Sequence, residues 1–236
     1  MNVFASIGIV ILAMIIMASL QLIPGIFILF FHYASGKYSF KKASSLSLFF
    51  ILGTEITSAL LFISSFFISY VLFLNDLNPR NNVLTWIFIG IFIALSIICF
   101  FFYYRSPSAK NTELFIPRKY AKTLNSRAKS AKTPSDAFTL GALSNVYELF
   151  ITLPLYILTA TEIMYMHKDY FADDIMTILY ILISIIPLLC LYHSFRIGHN
   201  LAKIQRTRIK DKTFHRLILS FSFLTIAILI ICFRIV

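Results

Sequence analysis

Long apolar runs separated by short polar gaps dominate the chain. The runs cover about residues 4–31, 45–74, 83–104, 137–165, 174–195 and 217–233. Each meets the ~17–25 helical residues that cross a hydrocarbon core, so six transmembrane helices are predicted. The ten-residue apolar–polar alternation of a membrane barrel is absent, which leaves helices as the spanning element. The predicted fold class is therefore an all-α integral membrane protein. The first run has no basic residue ahead of it and is too long for the apolar core of a secretory signal, so it reads as a retained helix.

Polar positions inside the runs are sparse and periodic. The second run carries Ser47, Thr54, Ser58, Ser65 and Ser69 at intervals that keep them on one helical face, with Glu55 at the edge of that stripe. The fourth carries Gly141, Asn145, Glu148, Thr152 and Thr159 on one face, with Ser144 alongside. Both glutamates lie about ten residues past the inner boundary, which at 1.5 Å per residue is ~15 Å deep, near the middle of a ~30 Å core. A charged carboxylate at that depth costs at least ~2.5–3.5 kcal/mol, and no run contains a central Lys or Arg. Three readings of these carboxyls stay open. They are neutral acids that help helices associate, or titrating groups coupled to proton movement, or ligands of a cationic substrate.

Composition and charge then place the runs. The 236 residues are 59% hydrophobic and 13% charged, with mean hydropathy +0.84. A soluble chain carries about a quarter charged residues, so the missing polar surface faces lipid. A net charge of +11 raises the question of nucleic acid, but the basic residues sit in the gaps between apolar runs, and no nucleic-acid partner is expected. Of the 21 basic residues, 18 fall in the gaps after the first, third and fifth runs. The opposite gaps hold Arg80 and Lys168 beside Asp76, Asp169, Asp173 and Asp174. Basic loops stay cytoplasmic, so both termini are predicted outside. Trp86, Tyr103 and Tyr104 fit interfacial anchoring. The expected location is a bacterial cytoplasmic membrane.

The long basic loop 105–136 divides the chain into three-helix halves, 1–104 and 137–236. An odd number of helices per half makes the second half enter from the opposite side, as in inverted repeats. The loop either lies on the inner membrane surface or serves as a topogenic linker. Its end, Thr133-Pro134-Ser135-Asp136, has the cap, first-turn proline and third-position acid of a helix start near Pro134. Pro24, Gly25 and Pro154, in the first helix of each half, are candidate helix breaks near a site. Cys99, Cys190 and Cys232 are isolated in apolar runs, which gives no support to redox or zinc chemistry. His32, His167, His193, His199 and His215 lie at helix ends or in loops and read as interfacial.

Leu22-Ile23-Pro24-Gly25-Ile26, the turn His32-Tyr33-Ala34-Ser35-Gly36-Lys37, Phe50-Ile51-Leu52-Gly53, and Phe138-Thr139-Leu140-Gly141-Ala142-Leu143-Ser144-Asn145 resemble segments of the lysine-exporter superfamily of six-helix carriers. The resemblance implies an inverted three-plus-three repeat. Ile26 stands where that group has the second proline of Pro-Gly-Pro, and Glu148-Leu149 where its Asn-Pro falls, so its substrate is not carried over. Related six-helix thiol-disulfide reductases have reactive cysteines in helices 1 and 4, which this chain lacks.

The expected function is a small secondary transporter, an exporter, for a cationic or zwitterionic solute or a metal ion. Glu148, Glu55, Asn145, Ser144, Thr54 and Thr152 are its candidate substrate or proton ligands. The alternative is a non-catalytic subunit of a larger complex. An intramembrane enzyme is disfavoured, because no nucleophile and base converge. No cofactor is expected. The expected partners are the bilayer and a small-molecule or ion substrate, with a homo-oligomer also open.

Overall fold

The computed structural model describes residues 6–20, 39–74, 82–102, 123–124, 126–128, 130–166, 170–196 and 212–234. Among these no strand occurs, and the long elements are helices: α1 (Ser6–Leu20), α2 (Phe40–Leu74), α3 (Asn82–Phe102), α4 (Pro134–Tyr147), α5 (Leu149–Tyr165), α6 (Tyr170–Arg196) and α7 (Lys212–Arg234). Two of them, α2 and α6, are long and apolar enough to cross a membrane, and α4 with α5 adds a third if that bent pair is one span. α1, α3 and α7 are apolar over shorter stretches. Pro24 and Gly25 lie outside the described residues.

The start of α4 follows the local sequence. Thr133 is extended, and its Oγ1 accepts the Asp136 N–H at 3.2 Å. The Asp136 carboxylate accepts from the Thr133 and Lys132 N–H groups, both at 3.0 Å. This reciprocal pairing satisfies backbone donors that a helix start leaves open, and such a cap contributes about 1 kcal/mol.

The fourth run is not the single helix expected from its length. It breaks at Glu148, where the chain bends by 75°. Pro154, expected to mark the break, sits inside α5, six residues further on. The Glu148 N–H bonds the Asn145 carbonyl at 3.1 Å, a tightened last turn that closes α4. The Glu148 carbonyl then accepts the N–H of Ile151 (2.9 Å) and of Thr152 (3.1 Å), which opens α5.

Along α2 the usual amphipathic arrangement is reversed. Ser47, Thr54, Glu55, Ser58, Ser65 and Ser69 are buried, while Leu52, Ile56, Leu60, Ile63 and Phe67 are exposed. A water-soluble helix hides the second set and shows the first. Hydroxyls on exposed faces bond their own helix: Ser19 to the Ile15 carbonyl, Ser64 to Leu60 and Thr225 to Phe221, each at 2.8 Å. Such back-bonding satisfies a hydroxyl where no water is available.

α2 is the hub and packs on α4, α5 and α6, while α3 packs on α7. Pairings fix the relative directions. Thr54 meets Asn145 where α4 crosses α2, and Ser58 meets Tyr156 and Ser69 meets Thr161, so α5 runs parallel to α2. Ser44 meets Tyr192 and Glu55 meets Ser184, so α6 runs antiparallel to α2. Phe92 stacks on Phe223 and Ser96 pairs with Ser220, so α3 and α7 are antiparallel. The last pairing is reciprocal, because each serine hydroxyl donates to the other's carbonyl, at 2.8 and 3.0 Å.

The closest approach is between α2 and α4. A Cβ on Gly53 would strike the Phe138 carbonyl, and one on Gly141 the Phe50 carbonyl. Phe50-x-x-Gly53 and Phe138-x-x-Gly141 thus meet reciprocally, each glycine against the carbonyl three residues before the other. Small residues at such a crossing let two backbones touch where lipid offers no hydrophobic drive for association.

Candidate functional site

The site lies beside the glycine crossing. That crossing brings Asn145 of α4 against α2, where its Nδ2 donates to the Thr54 carbonyl at 3.1 Å. One residue further along α2, the Glu55 carboxylate accepts from the Ser184 hydroxyl of α6 at 3.1 Å. Ser184 divides its single proton between that carboxylate and the Ile181 carbonyl, 2.8 Å away. Glu55 lies at the middle of the apolar stretch Phe40–Val71.

Tyr156 of α5, fully buried, is the centre of the arrangement. Its hydroxyl pairs with that of Ser58 and lies within electrostatic reach of Asn145, Glu55 and Glu148. The two acids, on different elements, thus lie within electrostatic reach of the same phenol. Glu148 occupies the break itself, 5% exposed, with the first turn of α5 starting from its carbonyl. A buried polar group at a helix discontinuity has backbone dipoles around it as well as side chains, which is how many carriers build ion and substrate sites.

Of the residues expected to serve as ligands, Glu55, Glu148, Asn145 and Thr54 come together here. Ser144 and Thr152 are buried, but their hydroxyls donate within the chain's own turns, Ser144 to the Gly141 carbonyl at 2.7 Å and Thr152 to that of Glu148 at 3.2 Å. Thr54 does the same toward Phe50 at 3.1 Å. Their remaining lone pairs accept but have no proton to give. Pro154 is half-buried in α5 and touches the site only through its helix.

Sequence reasoning missed two participants and one further buried acid. Tyr156 and Ser184 each stand among apolar neighbours, and only their register betrays them: Tyr156 is four residues after Thr152 and three before Thr159. The third is Glu162, 1% exposed, whose carboxylate accepts from Ser6 of α1 at 2.8 Å. It follows Thr159 by three residues and so continues the stripe that begins at Gly141. Among the described residues the buried acids and bases are these three glutamates, with no buried Lys, Arg or His. Also among the described residues, no three His, Cys, Asp or Glu side chains gather closely enough to hold a metal ion. No protein-family model, no curated protein and no solved structure matches the chain.

Proposed function

We propose that the chain is a six-span secondary carrier of the plan seen in the lysine-exporter superfamily, exporting a cationic or zwitterionic small solute through a site formed by Glu55, Glu148, Asn145 and Tyr156. The observation that carries this reading is the burial of two carboxyls inside apolar helices, Glu148 at the break between α4 and α5 and Glu55 on the neighbouring α2. Holding an acid inside apolar surroundings is expensive, and a helix break there gives up hydrogen bonds, so the two together mark a working site rather than a packing one. Neutral hydroxyl and amide groups surround the carboxyls, which suits a cation or a proton and offers nothing to an anion.

The relative directions of the helices support the alternating six-span path. α2 parallel to α5, α2 antiparallel to α6, and α3 antiparallel to α7 are the relations such a path requires. The segments behind the resemblance also meet physically: Gly53 and Gly141 form the crossing, and Asn145 bonds the Thr54 carbonyl beside it.

The test is flux in proteoliposomes holding the purified chain, against a panel of amino acids, polyamines and organic amines. Glu55→Gln and Glu148→Gln each keep the size and hydrogen-bonding shape of the acid. Each is expected to lower flux at least tenfold while leaving the protein monodisperse and its thermal midpoint within a few degrees of the parent. Parental flux in both variants would overturn the proposal.

A further inference from the structure

The part of the basic loop that leads into α4 is docked on the bundle. The described residues of 123–130 are helical, and Leu124 and Ala128, one turn apart, are buried in the main hydrophobic cluster. Ser126, Arg127 and Ser130 are exposed. The apolar side of this segment is therefore spent on the protein, and what it offers outward is polar. Between it and the first turns of α4 lies a cavity of about 260 Å³, lined by Arg127, Ser130, Ala131, Asp136, Thr139 and Leu140. The cavity stands where the basic gap ends and the apolar run from about residue 137 begins, which is headgroup level for a chain that spans as its hydropathy predicts.

The lining sorts into donors and acceptors. The Arg127 guanidinium has only N–H groups to give. Asp136 takes both backbone bonds of the α4 cap on one oxygen, Oδ2, so its Oδ1 still accepts. The Ser130 hydroxyl donates to the Arg127 carbonyl at 3.1 Å and that of Thr139 to the Ser135 carbonyl at 2.9 Å, so each keeps only lone pairs for a guest. Buried Ala131 and Leu140 add an apolar floor. The helix start is not itself the attraction, because the capping box already holds the Asp136 N–H. One cationic donor beside an anionic group with neutral acceptors fits a molecule that carries both charges. A simple anion would meet Asp136, and a simple cation would meet Arg127.

We propose that this cavity holds the headgroup of phosphatidylethanolamine, with the phosphate on Arg127 and the ammonium on Asp136, Ser130 and Thr139. A guanidinium meets phosphate through paired, charge-assisted hydrogen bonds. The primary ammonium brings N–H groups for the acceptors opposite, whereas the glycerol head of phosphatidylglycerol leaves the Asp136 charge uncompensated. Soluble phosphoethanolamine carries the same two charges, but the apolar floor and the place of the cavity at the membrane boundary favour the lipid. A lipid held there ties the end of the basic loop and the start of α4 to the membrane surface. The proposal requires a chain that lies in a membrane and is independent of what that chain carries.

The delipidated full chain in mild detergent, titrated with dioleoyl-phosphatidylethanolamine, dioleoyl-phosphatidylglycerol or soluble phosphoethanolamine and read by native mass spectrometry, tests it. The parent is expected to bind one phosphatidylethanolamine about fivefold more tightly than phosphatidylglycerol, and to bind soluble phosphoethanolamine more weakly than the lipid. Arg127→Gln is expected to weaken the lipid about tenfold. Asp136→Asn, which keeps an oxygen for the cap, is expected to remove the preference between the two lipids. Ser130→Trp fills the cavity from an exposed position whose hydroxyl bonds only its own turn. It is expected to displace the lipid while leaving circular dichroism and the thermal midpoint at parental values, which separates loss of the site from loss of the fold. Equal affinity for the two lipids in the parent, no bound lipid, a preference retained in Asp136→Asn, or binding unchanged in both Arg127→Gln and Ser130→Trp overturns the proposal. Soluble phosphoethanolamine bound as tightly as the lipid also overturns it, and assigns the cavity to a small phosphoamine.

Discussion

Asn145 shows how one side chain ties local geometry to the site. Its amide closes a gap between α4 and α2 by donating to the Thr54 carbonyl, and it lies within electrostatic reach of the Tyr156 phenol. Hydrogen bonds between helices in a bilayer contribute ~0.6–2 kcal/mol each, because the separated helices also find partners there. Asn145→Leu is therefore expected to cost about 1–2 kcal/mol, read as a lowered thermal midpoint. Thr225→Val serves as the contrast, since that hydroxyl is exposed and bonds only its own helix at Phe221. Its loss is expected to be within ~0.5 kcal/mol of neutral. Equal losses at the two positions would remove Asn145 from its bridging role. At this scale much was legible from spacing, because acids, amides and hydroxyls in an apolar run stand out against it. Tyr156 was not, since an amphipathic ring counts as apolar in any hydropathy pattern and shows its polar end only once its neighbours are placed. Glu162 stands near the end of its run, and nothing local in the sequence shows that Ser6 of α1 covers it.

Among the elements, the α4–α5 pair departs furthest from expectation. Proline is the usual signal for a broken helix, and Pro154 drew the break toward itself, yet the chain turns at Tyr147–Glu148, where no Gly or Pro stands. The cause lies in tertiary contacts that no window of sequence contains. α4 is held on α2 by the glycine crossing and by Asn145, whereas α5 is held on α2 through Ser58–Tyr156 and Ser69–Thr161. The bend falls between those two sets of anchors. The beginning of α4, by contrast, was fully legible, because a capping box is a contiguous signal. The crossing makes its own prediction. Gly141→Ala places a methyl group against the Phe50 carbonyl and within 2.9 Å of the Thr54 nitrogen, both backbone atoms that have no rotamer to change. Forcing such helices apart costs about 1–3 kcal/mol. Gly90→Ala in α3 meets nothing within 4 Å, so it is expected to stabilise by up to ~1 kcal/mol through helix propensity alone. Thermal unfolding of the two variants beside the parent checks both signs, and a neutral Gly141→Ala would mean that the helices are not in backbone contact.

The whole molecule turns on whether α4 and α5 together cross the membrane or dip in and return. A bend of 75° is compatible with either geometry. The contacts of α5 with α2 favour crossing, because they advance in one direction beyond the level where Asn145 meets Thr54: Tyr156 lies by Ser58 and Thr161 by Ser69. From Phe50 to Ser69 at 1.5 Å per residue the pair follows α2 for ~28 Å, close to the ~30 Å of a hydrocarbon core. A re-entrant pair has to turn back along its neighbour, and α5 does not. Charge agrees, since the gap before α4 holds eight basic residues and the gap after α5 holds Lys168 among Asp169, Asp173 and Asp174. The consequence is open to labelling with a membrane-impermeant maleimide, starting from a variant in which Cys99, Cys190 and Cys232 are alanine. Ser130→Cys, exposed just before α4, is expected to react in inverted vesicles and stay unreactive in intact cells. Asp169→Cys, between α5 and α6, is expected to do the opposite. Reaction of both from one side would make the pair re-entrant, place α2 and α6 among an altered set of spans, and leave Glu148 at the tip of a hairpin instead of the middle of a crossing. Opposite-side labelling would make Glu148 part of a crossing helix pair beside α2, with Tyr156 within electrostatic reach of both carboxyls.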